Sequence, residues 1–315
     1  MAKPRLLISL TTDENDYQEL QAADAEETAQ ELGVDVQIVF AKNNSVVQST
    51  QLLQAVQSSA EQRPSAIIVE PVGTGMIQVA RAAVSAGIGW AILNREVDYL
   101  PELHAVSVPV FVVTSDHEEI GRIQGQQIAA LLPSGGAVLQ IAGPVGDISH
   151  KRTKGMLSTK PANVQLKTIR GNWTEESAYH AAVSWLRLSI ARELRASLVA
   201  AQDDSMAIGT RKAIQDTLPA EECNRWLRCP FIGCDGLPST GQEWVRNGLL
   251  AATVSVPSNT GPAIRIMTQS LRAGSRPPER TMTVPVSYPP LAQLSAKGLE
   301  GRSLRELPHT SQHRA

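Results

Sequence analysis

Cysteine is scarce in this chain of 315 residues: only Cys223, Cys229 and Cys234 occur. An odd number excludes a fully paired disulfide framework. The spacing C-x5-C-x4-C, with no histidine nearby, matches no common zinc pattern. The expectation is one or two buried thiols and one partly exposed, with a Cys223–Cys229 bridge left open. An excess of one charge is also absent: 29 Lys and Arg stand against 31 Asp and Glu, a net charge of -2. The basic residues are scattered, which argues against a nucleic-acid or anionic-membrane surface. The densest cluster, KRTK at 151–154, is expected to line a site or to sit in solvent. Long apolar runs are missing too. The first is Leu6 to Leu10, whereas a secretory leader needs about 7–15 apolar residues and a membrane helix about 20. No signal peptide and no transmembrane segment are therefore expected. The protein is cytoplasmic on this reading if Met1 is the native start, and periplasmic if a leader has been removed.

Catalytic signatures are missing as well. GTG (73–75) and GPVGD (143–147) follow strand-like runs but do not fit G-x-G-x-x-G, and neither a Walker A sequence nor a G-x-S-x-G elbow occurs. The histidines (His104, His117, His150, His180, His309, His313) form no metal pair at helical spacing. His150 lies near Arg152 and reads as a hydrogen-bonding contact rather than a general base. No cofactor, no metal, no catalytic residue and no enzymatic activity are expected.

What is present is an alternation of strand and helix. Leu6–Leu10 is short and wholly apolar, the mark of a strand buried on both faces. A helix over 16–32 follows, with Ala22, Ala25, Ala29 and Leu32 on one face and Gly33 as its left-handed stop. Val34–Phe40, Ala66–Val69 and Trp90–Leu93 read as further strands, with helices about Leu52–Ala60 and 75–86. The rhythm restarts after a Pro-containing stretch at 101–113. Helices are expected at 117–131, from about 150, at 174–188, 205–216, 238–247 and 261–273. Strands are expected at Ala137–Ile141, Val164–Ile169, Ser197–Ala200, Phe231–Gly233 and Ala251–Val254. Residues 277–290 carry five prolines and read as extended, and 292–315 read as a loosely held polar tail. Alternating units of this kind imply α/β architecture with parallel sheets and right-handed crossovers.

Three segments in the C-terminal third are the most informative: QDDSMAIG (202–209), FIGCDG (231–236) and AATVSVPSNTG (251–261). Each joins an apolar stretch to a carboxylate or small polar residue at its C-terminal end, where open α/β sheets bind ligands. Their order resembles the ribose-binding branch of the periplasmic sugar-binding proteins, and is similar to the ligand-binding core of lactose-repressor-type regulators. The resemblance runs from about residue 5 to about residue 288. It implies two Rossmann-like lobes, each a parallel sheet flanked by helices. These would be joined by a three-segment hinge with the ligand cleft between them. One lobe would be 1–115 with 257–284, the other 116–256 with 285–291.

The resemblance also assigns residues. Ser9 and Tyr17 fall where the family places a small polar group and an aromatic over the ligand. Asp16 departs from an aromatic position. Glu70 stands where Asn is frequent. Asn94 and Arg95 match an Asp-Arg pair, with Asn for Asp. Arg152, in the R-x-x-G pattern RTKG, matches an arginine that opens a helix of the second lobe, and Trp173 falls where an aromatic stacks on the sugar. Asp203 stands where Asn is common, and Asp235 matches the family aspartate directly. The glutamine expected after AATV is missing, and Ser255 or Val256 occupies that region. The chemistry is coherent by itself. Carboxylates accept hydroxyl protons, guanidinium groups donate a planar fork, and rings cover C–H faces. Three carboxylates against two arginines favour a neutral sugar or polyol, and the extra acid leaves room for an amino sugar.

Each residue keeps a plainer alternative. Asp235 before Gly236 also fits a turn, and Asp203 a helix cap, with Asp204 or Ser205 as the actual cap. Arg152 and Arg95 also fit surface pairs, Arg95 with Glu96 or Asp98. Glu70 could face solvent, Trp173 could pack on its own lobe and Tyr17 could staple the first helix. The expected function is a monomeric solute-binding protein that closes over a small sugar-like ligand and presents it to a membrane permease or a sensor. The alternative is a cytoplasmic ligand-sensing regulator core. Only a few residues precede the first strand, so no DNA-binding head and no direct nucleic-acid contact are expected.

Overall fold

A computed structural model describes residues 3–103 and 107–294. The expected polar tail at 292–315 lies almost wholly outside them. The chain begins with β1 (Arg5–Leu10), α1 (Asp16–Leu32), β2 (Asp35–Phe40), α2 (Ser45–Gln57), β3 (Ala66–Val69), α3 (Ile77–Ser85), β4 (Gly89–Leu93), α4 (Leu100–Leu103) and β5 (Val110–Ser115). It continues with α5 (His117–Leu131), β6 (Gly136–Ala142), α6 (Asp147–Thr159), β7 (Val164–Arg170), α7 (Glu175–Leu186), α8 (Ser189–Glu193) and β8 (Ala196–Ala201). Then come α9 (Asp204–Thr217), α10 (Ala220–Leu227), β9 (Phe231–Ile232), α11 (Gly241–Arg246), β10 (Thr253–Ser255), α12 (Thr260–Ala273), β11 (Arg280–Thr283) and β12 (Val286–Tyr288). Two compact units result. The first holds the chain up to Asp116 and again from Pro257 to Val284, and the second holds His117–Val256 and the chain from Pro285 on.

In the first unit six strands lie in the order β11-β5-β4-β3-β1-β2, every neighbouring pair parallel. Apart from β11 this is the 2-1-3-4-5 order of doubly wound sheets. Every residue of β3, β4 and β5 is buried, as expected of central strands covered on both faces. Successive residues serve opposite faces. Leu7, Ile67, Trp90 and Ile92 pack with α2 and α3 residues such as Leu52 and Val79. Leu6, Ile8, Ile68, Ala91 and Phe111 pack with Ala25 and Ala29 of α1 and Ile264 and Met267 of α12. Each such aliphatic or aromatic side chain contributes about 1.5–3 kcal/mol when fully buried.

Local signals explain the first βα unit. The Asn15 carboxamide oxygen accepts from Tyr17 N at 3.0 Å to cap α1. Gly33 ends the helix at φ 65, the left-handed conformation glycine adopts at no steric cost. Strand β5 was not expected, and the run read as extended at 277–290 forms paired strands. Val110–Ser115 follows Pro109 and lay within the stretch read as a break, yet it is wholly buried as β5. The proline-rich run contains β11, which pairs with β5 from Arg280 to Thr283.

The second unit has β7-β6-β8-β9 in parallel. Single bridges Ile232–Ala252 and Asp235–Ser255 extend it toward β10, which pairs antiparallel with β12. Trp185 and Trp226 meet edge to face at 5.9 Å in its core, and Trp90 is fully buried in the first unit. All three cysteines are unbridged; Cys234 is buried and the other two are half-buried.

Helices α5 and α6 touch backbone to backbone. A Cβ on Gly121 would sit 1.9 Å from Arg152 O, and one on Gly155 would sit 2.0 Å from Glu118 O. The glycine of the R-x-x-G pattern is thus a packing seat that sets where Arg152 stands on the next turn. Gly155→Ala is expected to destabilise the protein by about 1–3 kcal/mol through overpacking. Gly75→Ala, whose Cβ would meet nothing within 4 Å, is expected to be neutral. Urea unfolding of both variants checks this, and equal midpoints would refute the close seat.

Candidate functional site

Polar side chains gather at the C-terminal ends of the parallel strands in each unit. In the first unit Glu70 follows β3 and is buried, with only 6% exposed. Three carboxamides donate to its Oε2: Gln18 at 2.9 Å, Gln21 at 3.1 Å and Asn94 at 3.4 Å. Burial pushes the Glu70 carboxyl above its ordinary pKa, while these donors and the Arg95 charge pull it back. Arg95 is half-buried, and its Nε is shut from solvent with no hydrogen-bond partner. It does not bridge to Glu96, which pairs with Arg280 instead. A buried donor left open beside a carboxyl is costly unless something else satisfies it.

The remaining residues of this cluster are held from beneath. Tyr17 OH donates to Pro257 O at 3.0 Å, so its hydroxyl anchors α1 to the second chain segment of the unit. Ser9 is fully buried, and its Oγ accepts from Gln48 Nε2 at 3.1 Å. Gln48 also donates to Glu70 O at 2.8 Å and accepts from Val72 N at 2.8 Å. Ser9 therefore stands under the cluster and reaches it through Gln48. Gln18, Gln21, Gln48 and Asn259 were not read from the sequence. A signal existed: Gln18 and Gln21 precede Ala25 and Ala29 on the same buried helix face, where apolar residues were expected.

In the second unit Arg152, Trp173, Asp203 and Asp235 come together. Arg152 is 7% exposed. Its Nη1 donates to Gln202 O, its Nη2 lies 3.9 Å from Asp235 Oδ1, and its guanidinium carbon sits 5.4 Å from the Trp173 ring centroid. Trp173 packs partly on its own unit and lies close against Gly143, where a Cβ would approach the ring to 2.2 Å. Asp235 is buried, so desolvation raises its carboxyl well above the ordinary range. The neighbouring Asp203 carboxyl raises it further, by charge and by hydrogen bond, and Arg152 opposes both. Two acids in such contact share a proton rather than both ionising.

The paired aspartates at 203 and 204 divide two tasks. Asp203 itself caps α9, its Oδ1 accepting from Met206 N at 3.0 Å, so the expectation of Asp204 or Ser205 as the cap is corrected. Asp204 turns inward. It accepts from Thr253 Oγ1 and from Gly236 N, both at 2.7 Å, and pins the start of β10 to the loop after β9. His150 is exposed, so it does not join the cluster. Among the described residues no group of His, Cys, Asp and Glu could hold a metal ion.

Three site residues share a backbone feature. Asn94, Trp173 and Asp235 have φ of 58, 61 and 102, and each lies within three residues of the end of a strand. Left-handed backbone is tolerated by Asn and Asp but is strained for a bulky Trp. Such strain concentrates at functional sites, because the surrounding structure must hold it.

The comparisons bear on the fold and the family. Among proteins with curated descriptions none matches this sequence. Solved structures of the same fold include a galactofuranose binding protein, 20% identical, with 94% of this chain and 96% of that one covered and a TM-score of 0.77. Another is an ABC transporter periplasmic solute binding protein from Actinobacillus succinogenes 130z with bound D-allose, 21% identical, covering 95% and 100% with a TM-score of 0.77. A third is the Caulobacter myo-inositol binding protein, 21% identical, covering 95% of each chain with a TM-score of 0.74. At the level of sequence, the description of periplasmic binding protein domains matches residues 6–264. With sheet order, strand-end clusters and that match in accord, the chain belongs to the periplasmic binding protein domain family.

Proposed function

We propose that this protein is a non-catalytic solute receptor for a neutral sugar or polyol, which it presents to a membrane permease or a sensor on the periplasmic side. The observation that carries the reading is the pairing, at strand ends, of buried carboxyls with guanidinium groups and an aromatic face: Glu70 with Arg95, and Asp235 with Arg152 under Trp173. Hydroxyl groups both donate and accept, so they match such a set better than a purely anionic or cationic ligand does. Burial and the Asp203 carboxyl disfavour the charged form of Asp235, which again suits an uncharged ligand. Proteins of the same fold are named for galactofuranose, D-allose and myo-inositol. No helix among the described residues is long and apolar enough to cross a membrane.

The test is a thermal-shift series with D-allose, D-galactose, L-arabinose, myo-inositol and D-glucosamine. A ligand present at about a hundred times its Kd adds roughly 2.7 kcal/mol of stability. Asp235→Ala and Arg152→Ala are expected to remove that gain for the best ligand, and Asn94→Gly to reduce it. Silence across the series, or normal binding by the Asp235 and Arg152 variants, would refute this reading. Chemical conversion of any ligand would overturn its non-catalytic part.

A further inference from the structure

One buried carboxamide joins groups that are far apart in the chain. Asn259 is fully buried and lies two residues after the chain re-enters the first unit at Pro257. Its Nδ2 donates to Asn94 Oδ1, to Ser115 Oγ at 3.2 Å and to Tyr17 OH at 3.4 Å. Its Oδ1 accepts from Thr283 Oγ1 at 2.9 Å. Ser115 and Thr283 hydroxyls are themselves 3.2 Å apart, and the Asn259 backbone N donates to Gln21 Oε1 at 2.9 Å.

The positions of these partners matter more than their number. Ser115 precedes the crossing of the chain at 116/117, Asn259 follows the one at 256/257 and Thr283 precedes the one at 284/285. All three covalent links out of the first unit are thus tied to one side chain. A further partner, Asn94, belongs to the strand-end cluster with Glu70. Because Asn259 donates to Asn94 Oδ1, the Asn94 amide is turned so that its Nδ2 faces Glu70. A ligand hydroxyl that engages Asn94 must compete with or reinforce that same bond.

We propose that Asn259 is a positioning residue that couples the orientation of Asn94 to the three chain crossings. The functional meaning rests on the solute-receptor reading above; the coupling itself does not. Asn94 and Thr283 communicate through the Asn259 carboxamide: Nδ2 donates to Asn94 Oδ1 and Oδ1 accepts from Thr283 Oγ1. A change at Asn94 therefore reaches the segment after β11 without passing along the sheet.

Hydrogen exchange on the full chain without any ligand tests the coupling. Peptides covering 112–117, 257–262 and 281–286 are followed in the wild type and in Asn94→Gly, Asn259→Ala, the double variant and Asn259→Asp. Glycine suits position 94 because it accepts the left-handed backbone there. Asn94→Gly is expected to speed exchange in 281–286, roughly tenfold if the lost bonds matter to local opening. Asn259→Ala should do the same, and the double variant should add nothing to it. Asn259→Asp keeps acceptors for the Ser115 and Thr283 hydroxyls but cannot donate to Asn94. It should therefore speed exchange in 281–286 as Asn94→Gly does, and adding Asn94→Gly to it should bring no further effect. If Asn259→Ala fails to fold, the remaining variants decide the matter. Unchanged exchange at 281–286 in Asn94→Gly, or additive effects in the double variant, would overturn the proposal. A positive exchange result with no sugar binding would instead remove the receptor reading and leave the coupling in place.

Discussion

Replacing Asn94 by aspartate should destabilise the first unit by roughly 3–5 kcal/mol at pH 7, the range for a buried charge left uncompensated. Adding Glu70→Asn should restore most of it. Aspartate tolerates the left-handed backbone at 94 as asparagine does, so the effect isolates charge. In the native protein the Asn94 amide donates to Glu70 Oε2 at 3.4 Å. In the Asn94→Asp variant that donor becomes a second carboxylate beside a carboxyl already raised by burial, and one of the two must take up a proton. A carboxyl pKa raised in the folded state stabilises fully below its unfolded value, about 4. That stability is lost as pH rises through the folded value. The penalty of Asn94→Asp should therefore be large at pH 7 and fade toward pH 4. The double exchange Glu70→Asn with Asn94→Asp puts one carboxylate and one amide back in contact with their places swapped. It also regenerates the pattern the resemblance implies, an asparagine at position 70 and an aspartate at position 94. The two departures from that pattern are thus one charge-conserving exchange between adjacent strand ends. Denaturant unfolding of both single variants and the double variant provides the cycle. A double variant no better than Asn94→Asp alone would refute the exchange.

The second large effect is at Asp235. Asp235→Asn should make the empty protein more stable at pH 7, by on the order of 1 kcal/mol, the worth of one pKa unit, because it removes a carboxyl whose ionisation burial and Asp203 disfavour, and should abolish sugar binding. Asparagine again suits φ 102, and the backbone bonds Asp235 N to Val254 O and Val256 N to Asp235 O, both 2.9 Å, are untouched. The wild-type carboxyl is raised by burial and by Asp203. Its contribution is therefore present below the unfolded pKa and is lost as pH rises through the folded one. Asp235→Asn removes that slope, so the gap between variant and wild type should widen from pH 5 to pH 8. A variant less stable than wild type at both pH values would show that Asp235 serves the fold rather than a ligand.

How far the sequence revealed this can be traced to particular elements. β1, β3 and β4 are short apolar runs ending at a polar residue, so both the strands and the residues at their ends were legible. α1 was legible because its alanines recur at helical spacing and Gly33 stops it. β5 was obscured by Pro109 and by its place next to the break in rhythm, although its residues are as apolar as any central strand. The carboxamide network was only partly legible: Gln18 and Gln21 fall on the apolar face of α1, but the sequence does not show what a buried carboxamide would serve. Only the fold shows that each has a buried carboxyl, carbonyl or backbone amide to serve. The Asp203–Asp204 pair misled for a related reason. Either residue can cap a helix, and the Gly233 and Gly241 backbones that leave room for Asp204 are distant in the chain.

The left-handed backbone at Asn94, Trp173 and Asp235 has a consequence for how such a receptor could change its taste. At 94 and 235 only Gly, Asn and Asp fit without cost, so a drifting population or a designed library has an alphabet of about three letters there. New specificities would have to be written elsewhere, at positions in ordinary conformations such as Glu70, Arg95 and Arg152. Recognition would then be a fixed frame around a variable text, and the frame would outlast many exchanges of ligand.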